Sequence, residues 1–308
     1  MENVAFVFPG QGSQAVGMLA ELAQTHVIIG QTFAQASDAL GYDLWDLVAN
    51  GPVETLNETD KTQPALLTSS VAIWRAYQAS NKPMPALIAG HSLGEYSALV
   101  CAGVIDFVDA VKLVELRGKL MQQAVPTGTG AMYAIIGLND DAITTACSES
   151  AQGNVVSPVN YNSPGQVVIA GEKAAVERAA AACKVAGAKM TVALPVSVPS
   201  HCALMKPAAD ELAKALIEVT FSKPTINVVN NVDVAMPTDP EAIKDALVRQ
   251  LYCPVRWSET VEFMATQGVT KLIECGPGKV LTGLTKRINK SISAQAVNDA
   301  ASFAALVE

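Results

Sequence analysis

The stretch Pro85-Ala86-Leu87-Ile88-Ala89-Gly90-His91-Ser92-Leu93-Gly94-Glu95 constrains the fold more than any other part of the chain. Its apolar run, 86–89, predicts a short buried strand, and residues 95–102 predict a helix. Between them, Gly90-x-Ser92-x-Gly94 is the pattern of a sharp strand-to-helix turn that pushes a serine hydroxyl out at the end of a sheet. Glycines flank the serine because so tight a turn leaves no room for side chains. The turn also aims the first N–H groups of the new helix at the space in front of the hydroxyl. Taken alone, Gly-x-Ser-x-Gly occurs in many loops, and an ordinary strand-turn-helix connection is the alternative. The strand before it and the helix after it favour an exposed nucleophile.

The rest of the chain alternates strands and helices. Val4-Ala5-Phe6-Val7-Phe8 predicts a strand ending in Pro9-Gly10-Gln11-Gly12-Ser13. Such a glycine-bearing loop brings backbone N–H groups to the carboxyl edge of a sheet, although without a third glycine it says little for a dinucleotide. Helical patterning covers 16–40, a helix starts at Asp60 or Thr62 with Pro64 in its first turn, and 106–123 reads as an amphipathic helix. After the turn-rich 126–130 the order becomes strand, helix, strand, strand, helix, strand through Leu194, the order of a ferredoxin-like unit. A strand at 227–231, helices from Pro240 and Trp257, a strand at 270–275 and a helix from Lys279 complete the chain. The expectation is an α/β protein. A large α/β-hydrolase-like domain with a mostly parallel sheet, residues 1–125 and 198–308, is interrupted by a small ferredoxin-like β-α-β-β-α-β subdomain at 126–197.

Half of the 308 residues are apolar and 16% are charged, which supplies a core and excludes disorder. A net charge of −8 argues against nucleic acid as a partner. The 6 cysteines are dispersed without a Cys-x-x-Cys pair, as expected of reduced thiols and not of disulfides or a metal centre. The N-terminus lacks a basic region followed by a long apolar run, and no stretch reaches the ~20 apolar residues that span a bilayer. A cytoplasmic protein away from membranes is expected.

A serine nucleophile needs a base, and the chain has only 3 histidines. His91 adjoins Ser92, so the two side chains diverge, and His26 has nothing nearby to orient it. His201 remains, on a loop far along the chain. Cys202 beside it has neither elbow nor second base and reads as packing. No aspartate stands out to orient the imidazole: Asp106, Asp210 and Asp245 all suit the surface. A backbone carbonyl is the alternative, giving a Ser-His dyad. Arg117 falls in the middle of an apolar helix face, with Leu113, Val114, Leu120 and Met121 around it. A guanidinium there needs an anion or several carbonyls. On pattern alone, a structural salt bridge to an internal carboxylate explains it more simply than a ligand.

These residues carry a family resemblance. Phe8-Pro9-Gly10-Gln11-Gly12-Ser13-Gln14, Thr62-Gln63-Pro64-Ala65, Gly90-His91-Ser92-Leu93-Gly94-Glu95 and Leu116-Arg117-Gly118 match in order. Asn160-Tyr161-Asn162-Ser163-Pro164, His201, Gln250-Leu251 with Pro254-Val255 and Trp257, and Gly276-Pro277-Gly278-Lys279-Val280-Leu281 follow. Together they resemble the malonyl-CoA:acyl carrier protein transacylases of bacterial fatty acid synthesis, whose fold recurs in the acyltransferase domains of fatty acid and polyketide synthases. The resemblance implies that Ser92 is the acylated nucleophile and His201 its base. It implies that the Gln250 carbonyl orients His201, and that the Gln11 and Leu93 N–H groups form an oxyanion hole. It also implies that Arg117 pairs with the free carboxylate of the malonyl group, which reverses the pattern-only reading.

Malonyl-CoA and acyl carrier protein are then the substrates, no metal or cofactor is required, and a monomer is expected. Lys279, Lys286 and Lys290, with Arg287 close by, recur on one face of the last predicted helix and suit an acidic carrier, although a solvated charged face explains them equally well. Many relatives carry a bulky aromatic just before the histidine. Here Ser200 leaves more room beside the substrate's α-carbon. A serine esterase or thioesterase would share Ser92 and His201 but have no use for Arg117. A non-catalytic carrier-docking module would not need the elbow.

Overall fold

Strand β1, Val4–Phe8, shows why the chain builds two layers of helices around one sheet. Phe6 and Phe8 point into one apolar cluster, and Ala5 and Val7 into another on the opposite face. A computed structural model describes residues 3–196 and 198–307. The expected boundary residue Ser197 lies outside them. Strands β2 (Leu87–Gly90), β3 (Gly130–Ile136), β4 (Val156–Ser163), β5 (Gln166–Glu172), β6 (Met190–Ala193), β7 (Asn227–Val229), β8 (Lys271–Cys275) and β9 (Ser293–Val297) follow β1 in the chain. The first sheet has the order β7-β2-β1-β8-β9, and each of its pairings is parallel. The expected mostly parallel sheet is thus parallel at every described pairing.

Before β2 the helices are α1 (Ala20–Thr25), α2 (Val27–Leu40), α3 (Leu44–Asn50), α4 (Val53–Leu56) and α5 (Thr59–Ala79). Then come α6 (Leu93–Cys101), α7 (Phe107–Ala124), α8 (Asp140–Ala151) and α9 (Lys173–Val185). The series ends with α10 (Lys206–Ile217), α11 (Pro240–Gln250), α12 (Trp257–Thr266), α13 (Val280–Ile288) and α14 (Ala300–Val307). Helices α2, α5, α6 and α7 cover the face of Phe6 and Phe8, and α12 and α13 cover that of Ala5 and Val7.

The second sheet has the order β4-β5-β3-β6, antiparallel throughout, with α8 and α9 packed on one face. That is the ferredoxin-like order expected from the sequence. Its other face, with Met132, Val159 and Val168, meets Cys202 and Leu204. Strand β4 also bonds to the chain after α11: Tyr161 N–H donates to Val255 O at 3.0 Å, and Val255 N–H to Val159 O at 2.8 Å. This stitch holds the small sheet over the carboxyl ends of the large one.

Four local expectations are corrected. The helix expected over 16–40 is broken at His26, whose extended backbone ends α1 and starts α2 and whose ring packs on Phe303 at 4.6 Å. Helix α5 starts at Thr59, earlier than expected, because Glu58 O accepts from both Lys61 and Thr62 N–H at 2.8 Å; Pro64 therefore lies inside the helix. Strand β9 and helix α14 extend the chain beyond the last predicted helix, and α3 and α4 are further short helices that the periodicity did not announce.

Candidate active site

The parallel strands all end on one side of the sheet, where open α/β folds gather their functional loops. β1 ends in the Gln11 loop, β2 in the turn bearing Ser92, and β7 in Asn230-Asn231. The β2 turn is as tight as the glycines imply. A Cβ on Gly94 would lie 2.0 Å from Phe8 O, and one on Gly90 1.8 Å from the Gly94 carbonyl carbon. Ser92 itself has φ 52° and ψ −109°, a region that costs a non-glycine residue on the order of 1–3 kcal/mol and survives only where neighbours enforce it.

His201 reaches this serine from the segment that returns from the small sheet. Its backbone also has positive φ, 64°, and its N–H donates to Leu251 O at 2.9 Å. Nδ1 lies 2.6 Å from Gln250 O, and Nε2 lies 2.8 Å from Ser92 Oγ. A carbonyl only accepts, so Nδ1 carries the hydrogen and Nε2 is left to accept from the serine hydroxyl. Burial, reinforced by the Arg117 charge and partly opposed by the Gln250 hydrogen bond, pushes the His201 pKa down to about 3. The imidazole is neutral at physiological pH, as a base must be.

Arg117 comes from α7 and is 1% exposed. Nη1 donates to Gln63 Oε1 at 2.8 Å, and Nη2 to Gln250 Oε1 at 3.0 Å and Ser92 Oγ at 3.3 Å. The pattern-only expectation of a structural salt bridge is therefore corrected: neutral oxygens hold both terminal nitrogens. Among the described residues its buried Nε makes no hydrogen bond, and the guanidinium carbon stands 5.3 Å from the Tyr96 ring centroid. The helix can place this side chain so deep because Gly118 lets α7 press on α5, where a Cβ would come within 2.6 Å of Asp60 Cα.

Gln11 and Leu93 line the same cleft as Ser92, His201 and Arg117. Leu93 opens α6, so its N–H has no acceptor within the helix. The Gln11 loop is drawn onto the elbow, since a Cβ on Gly10 would meet His91 O at 2.5 Å. His91 turns away from Ser92, as expected, pairing Nε2 with Asn162 Oδ1 at 2.8 Å beside the Trp257 ring. The small sheet lends Met132 and Asn160 to the cleft, and Ser200 also lines it. Cys202 is buried and donates to Pro199 O, in keeping with packing.

Three further buried polar residues, with no role expected from the sequence, brace the site. Gln63 holds Arg117, Asn231 bonds to Gly90 and Ser92, and Glu95 accepts from Gln250 Nε2 and from Asn231 N–H. Burial raises the Glu95 pKa to about 7 against those two hydrogen bonds and the Arg117 charge. Gln63 and Glu95 lie inside the motifs that carry the family resemblance, whereas Asn231 falls at the end of a predicted strand and carries no such signal.

The basic residues fall outside this cleft, and their expected arrangement is corrected. Lys279 caps α13, Lys286 and Arg287 occupy its last turn, and Lys290 lies beyond its end, so they do not share one helix face. Helix α13 is followed by α14 and is not the last. All four are exposed, and Arg287 bonds to Gln166 Oε1 of the small sheet at 2.6 Å.

Comparison with known proteins shows the family to which this fold belongs. Residues 5–306 match the family model described as the acyl transferase domain. A protein of Salmonella typhimurium named malonyl CoA-acyl carrier protein transacylase is 68% identical over 305 residues, covering 99% of each chain. The protein of the same name from Escherichia coli K12 is 66% identical over 308 residues, covering 100% of each. Among solved structures, an acyl carrier protein S-malonyltransferase from Vibrio cholerae superposes with a TM-score of 0.97 at 70% identity, covering 99% of both chains. A malonyl-transacylase in complex with a type II PKS acyl-carrier protein superposes with a TM-score of 0.98 at 66% identity, again covering 99% of both.

Proposed function

The chain belongs to the acyl transferase domain family, and from that premise we propose that it moves a malonyl group from malonyl-CoA to the phosphopantetheine thiol of acyl carrier protein, supplying fatty acid synthesis. The observation that carries this reading is Arg117. A buried guanidinium whose Nη2 lies 3.3 Å from Ser92 Oγ, and whose Nε makes no hydrogen bond among the described residues, suits a substrate bearing a carboxylate beside its reacting carbonyl.

In the proposed reaction, His201 Nε2 takes the Ser92 proton as Oγ attacks the thioester carbonyl. The Gln11 and Leu93 N–H groups receive the oxyanion, each worth on the order of 3 kcal/mol in comparable sites. The tetrahedral intermediate collapses, the C–S bond breaks, and CoA leaves as the thiol with the proton from His201. The carrier thiol then gives its proton to His201, attacks malonyl-Ser92, and restores the serine. Gln250 O holds the imidazole throughout. All of these groups belong to the chain itself, so the transfer calls on no metal or organic cofactor.

The carrier would dock near Lys286 and Arg287, with Lys279 and Lys290 at either end of α13. The reading also takes 126–197 as a small subdomain within a large discontinuous domain, 1–125 and 198–308, supported by the separate apolar cluster beneath α8 and α9. A cytoplasmic monomer completes it. Among the described residues no helix is long and apolar enough to cross a membrane, and the 6 cysteines are free. The test is a transfer assay with malonyl-CoA and phosphopantetheinylated carrier protein. Malonyl-carrier as the main product supports the proposal, and free malonate with unmodified carrier contradicts it in favour of a thioesterase.

A further inference from the structure

Ser92 adopts its strained conformation beside a side chain that copies a strand. The β2–β7 ladder ends at Ala89 and Val229. Beyond it, Asn231 Nδ2 donates to Gly90 O at 2.7 Å, and Asn231 Oδ1 accepts from Ser92 N–H at 2.7 Å. A residue in a parallel ladder bonds to a carbonyl on one side of its partner and to an N–H on the other. The Asn231 amide makes those two bonds around His91, so the ladder continues through the elbow although the β7 backbone has turned away.

The amide is in turn fixed from below. Glu95 Oε2, on a side chain 2% exposed, accepts from Asn231 N–H at 2.9 Å and from Gln250 Nε2 at 2.8 Å. The same Gln250 Nε2 lies 3.1 Å from Ser92 O, and the Gln250 main-chain carbonyl holds His201. One carboxylate oxygen therefore joins the residue that pins the serine backbone to the residue that orients the base. Both Asn231 and Gln250 are fully buried, so neither contact is replaced by water when broken.

We propose that Asn231 and Glu95 are positioning residues that lock Ser92 and the His201-bearing Gln250 carbonyl into one frame. This rests on the reading of Ser92 and His201 as nucleophile and base. The frame works through hydrogen-bond acceptance at Glu95. A glutamine there, whose amide oxygen accepts the same two donors, should keep it, and an alanine should not.

The test measures Ser92 labelling by a fluorophosphonate probe, which has no carboxylate for Arg117, alongside the rate and half-saturation of malonylation by malonyl-CoA. In Asn231→Ala, both rates should fall about 100-fold, as expected for a reacting group misplaced by about 1 Å, with half-saturation for malonyl-CoA changed less than about threefold. Glu95→Ala should slow labelling about tenfold, and Glu95→Gln should stay within about threefold of the parent. The proposal is overturned if folded Asn231→Ala melts at a lower temperature yet labels at the parent rate. Equal losses in Glu95→Gln and Glu95→Ala also overturn it. Should Asn231→Ala not fold, the two Glu95 variants decide. If the parent itself takes no label at Ser92, the underlying assignment of the nucleophile fails instead.

Discussion

His201 Nδ1 lies 2.6 Å from the main-chain carbonyl oxygen of Gln250, the place a carboxylate takes in a serine triad. A neutral carbonyl fixes the tautomer and orientation of the ring without adding a full charge to stabilise the imidazolium. With burial and Arg117 acting on the same ring, the neutral base persists far into acid, its pKa pushed down to about 3. The rate of Ser92 malonylation should therefore stay flat between about pH 8 and pH 5, with no inflection near the ordinary histidine value. Rapid-quench measurement across that range checks it, and a limb centred near 6.5 would contradict it.

Stability should depend on pH in two opposed ways. His201 titrates lower folded than unfolded, so its contribution is fully present above its unfolded value of 6.5 and is lost as pH falls toward about 3. His91, also lowered by burial, acts in the same direction. Glu95 does the reverse: its contribution is present below 4.5 and is lost as pH rises through about 7. For a fully buried carboxyl, that loss is on the order of 3 kcal/mol. Glu95→Gln should therefore melt at a temperature that declines less from pH 5 to pH 8 than the parent's does, and calorimetry across that range measures the difference.

Arg117→Lys should not rescue the carboxylate site. Lysine supplies a point charge in place of a planar fork and leaves Gln63 and Gln250 without their shared donor. Malonyl-CoA should acylate this variant at least about tenfold more slowly, with acetyl-CoA much less affected. Parallel half-reactions with the two thioesters give the ratio.

The approach of α7 to α5 offers an indirect handle on the same group. In Gly118→Ala the added Cβ would lie 2.6 Å from Asp60 Cα, against backbone that has no flexible end to move aside. The variant should lose about 1–3 kcal/mol of stability and part of its preference for malonyl over acetyl groups, because α7 carries Arg117 with it. Denaturation and the same pair of thioesters would show the two losses together.

How much of this was legible before folding follows from the range of each signal. The elbow, the α7 face around Arg117 and the ferredoxin-like strand order are written in short-range periodicity and in turn residues. The roles of Gln250, Gln11 and Leu93 came only through family resemblance, because a backbone carbonyl or N–H leaves no mark in residue type. Asn231 looks in sequence like the end of a strand, since its partner Ser92 is 139 residues away and nothing local distinguishes its amide. The basic residues looked like one helix face because spacing alone hides that α13 begins after Lys279 and ends before Lys290. Strand β9, Ser293–Val297, has no clear apolar alternation, so the sequence does not announce it.

The α13 residues make a separable prediction. Charge reversal at Lys286 and Arg287 should raise the apparent KM for carrier protein several-fold, roughly tenfold at low salt, while the malonyl-CoA half-reaction is unchanged. Steady-state transfer at two ionic strengths checks this. A KM that does not move would remove this surface from the docking site.

The most direct test of the central claim is intact-protein mass measurement after brief mixing with malonyl-CoA, on the parent, Ser92→Ala and Arg117→Ala. One malonyl adduct that is absent in Ser92→Ala, weakened in Arg117→Ala and discharged by added carrier protein is the expected result. An adduct that survives Ser92→Ala, or free CoA accumulating with no adduct on the parent, would contradict the account.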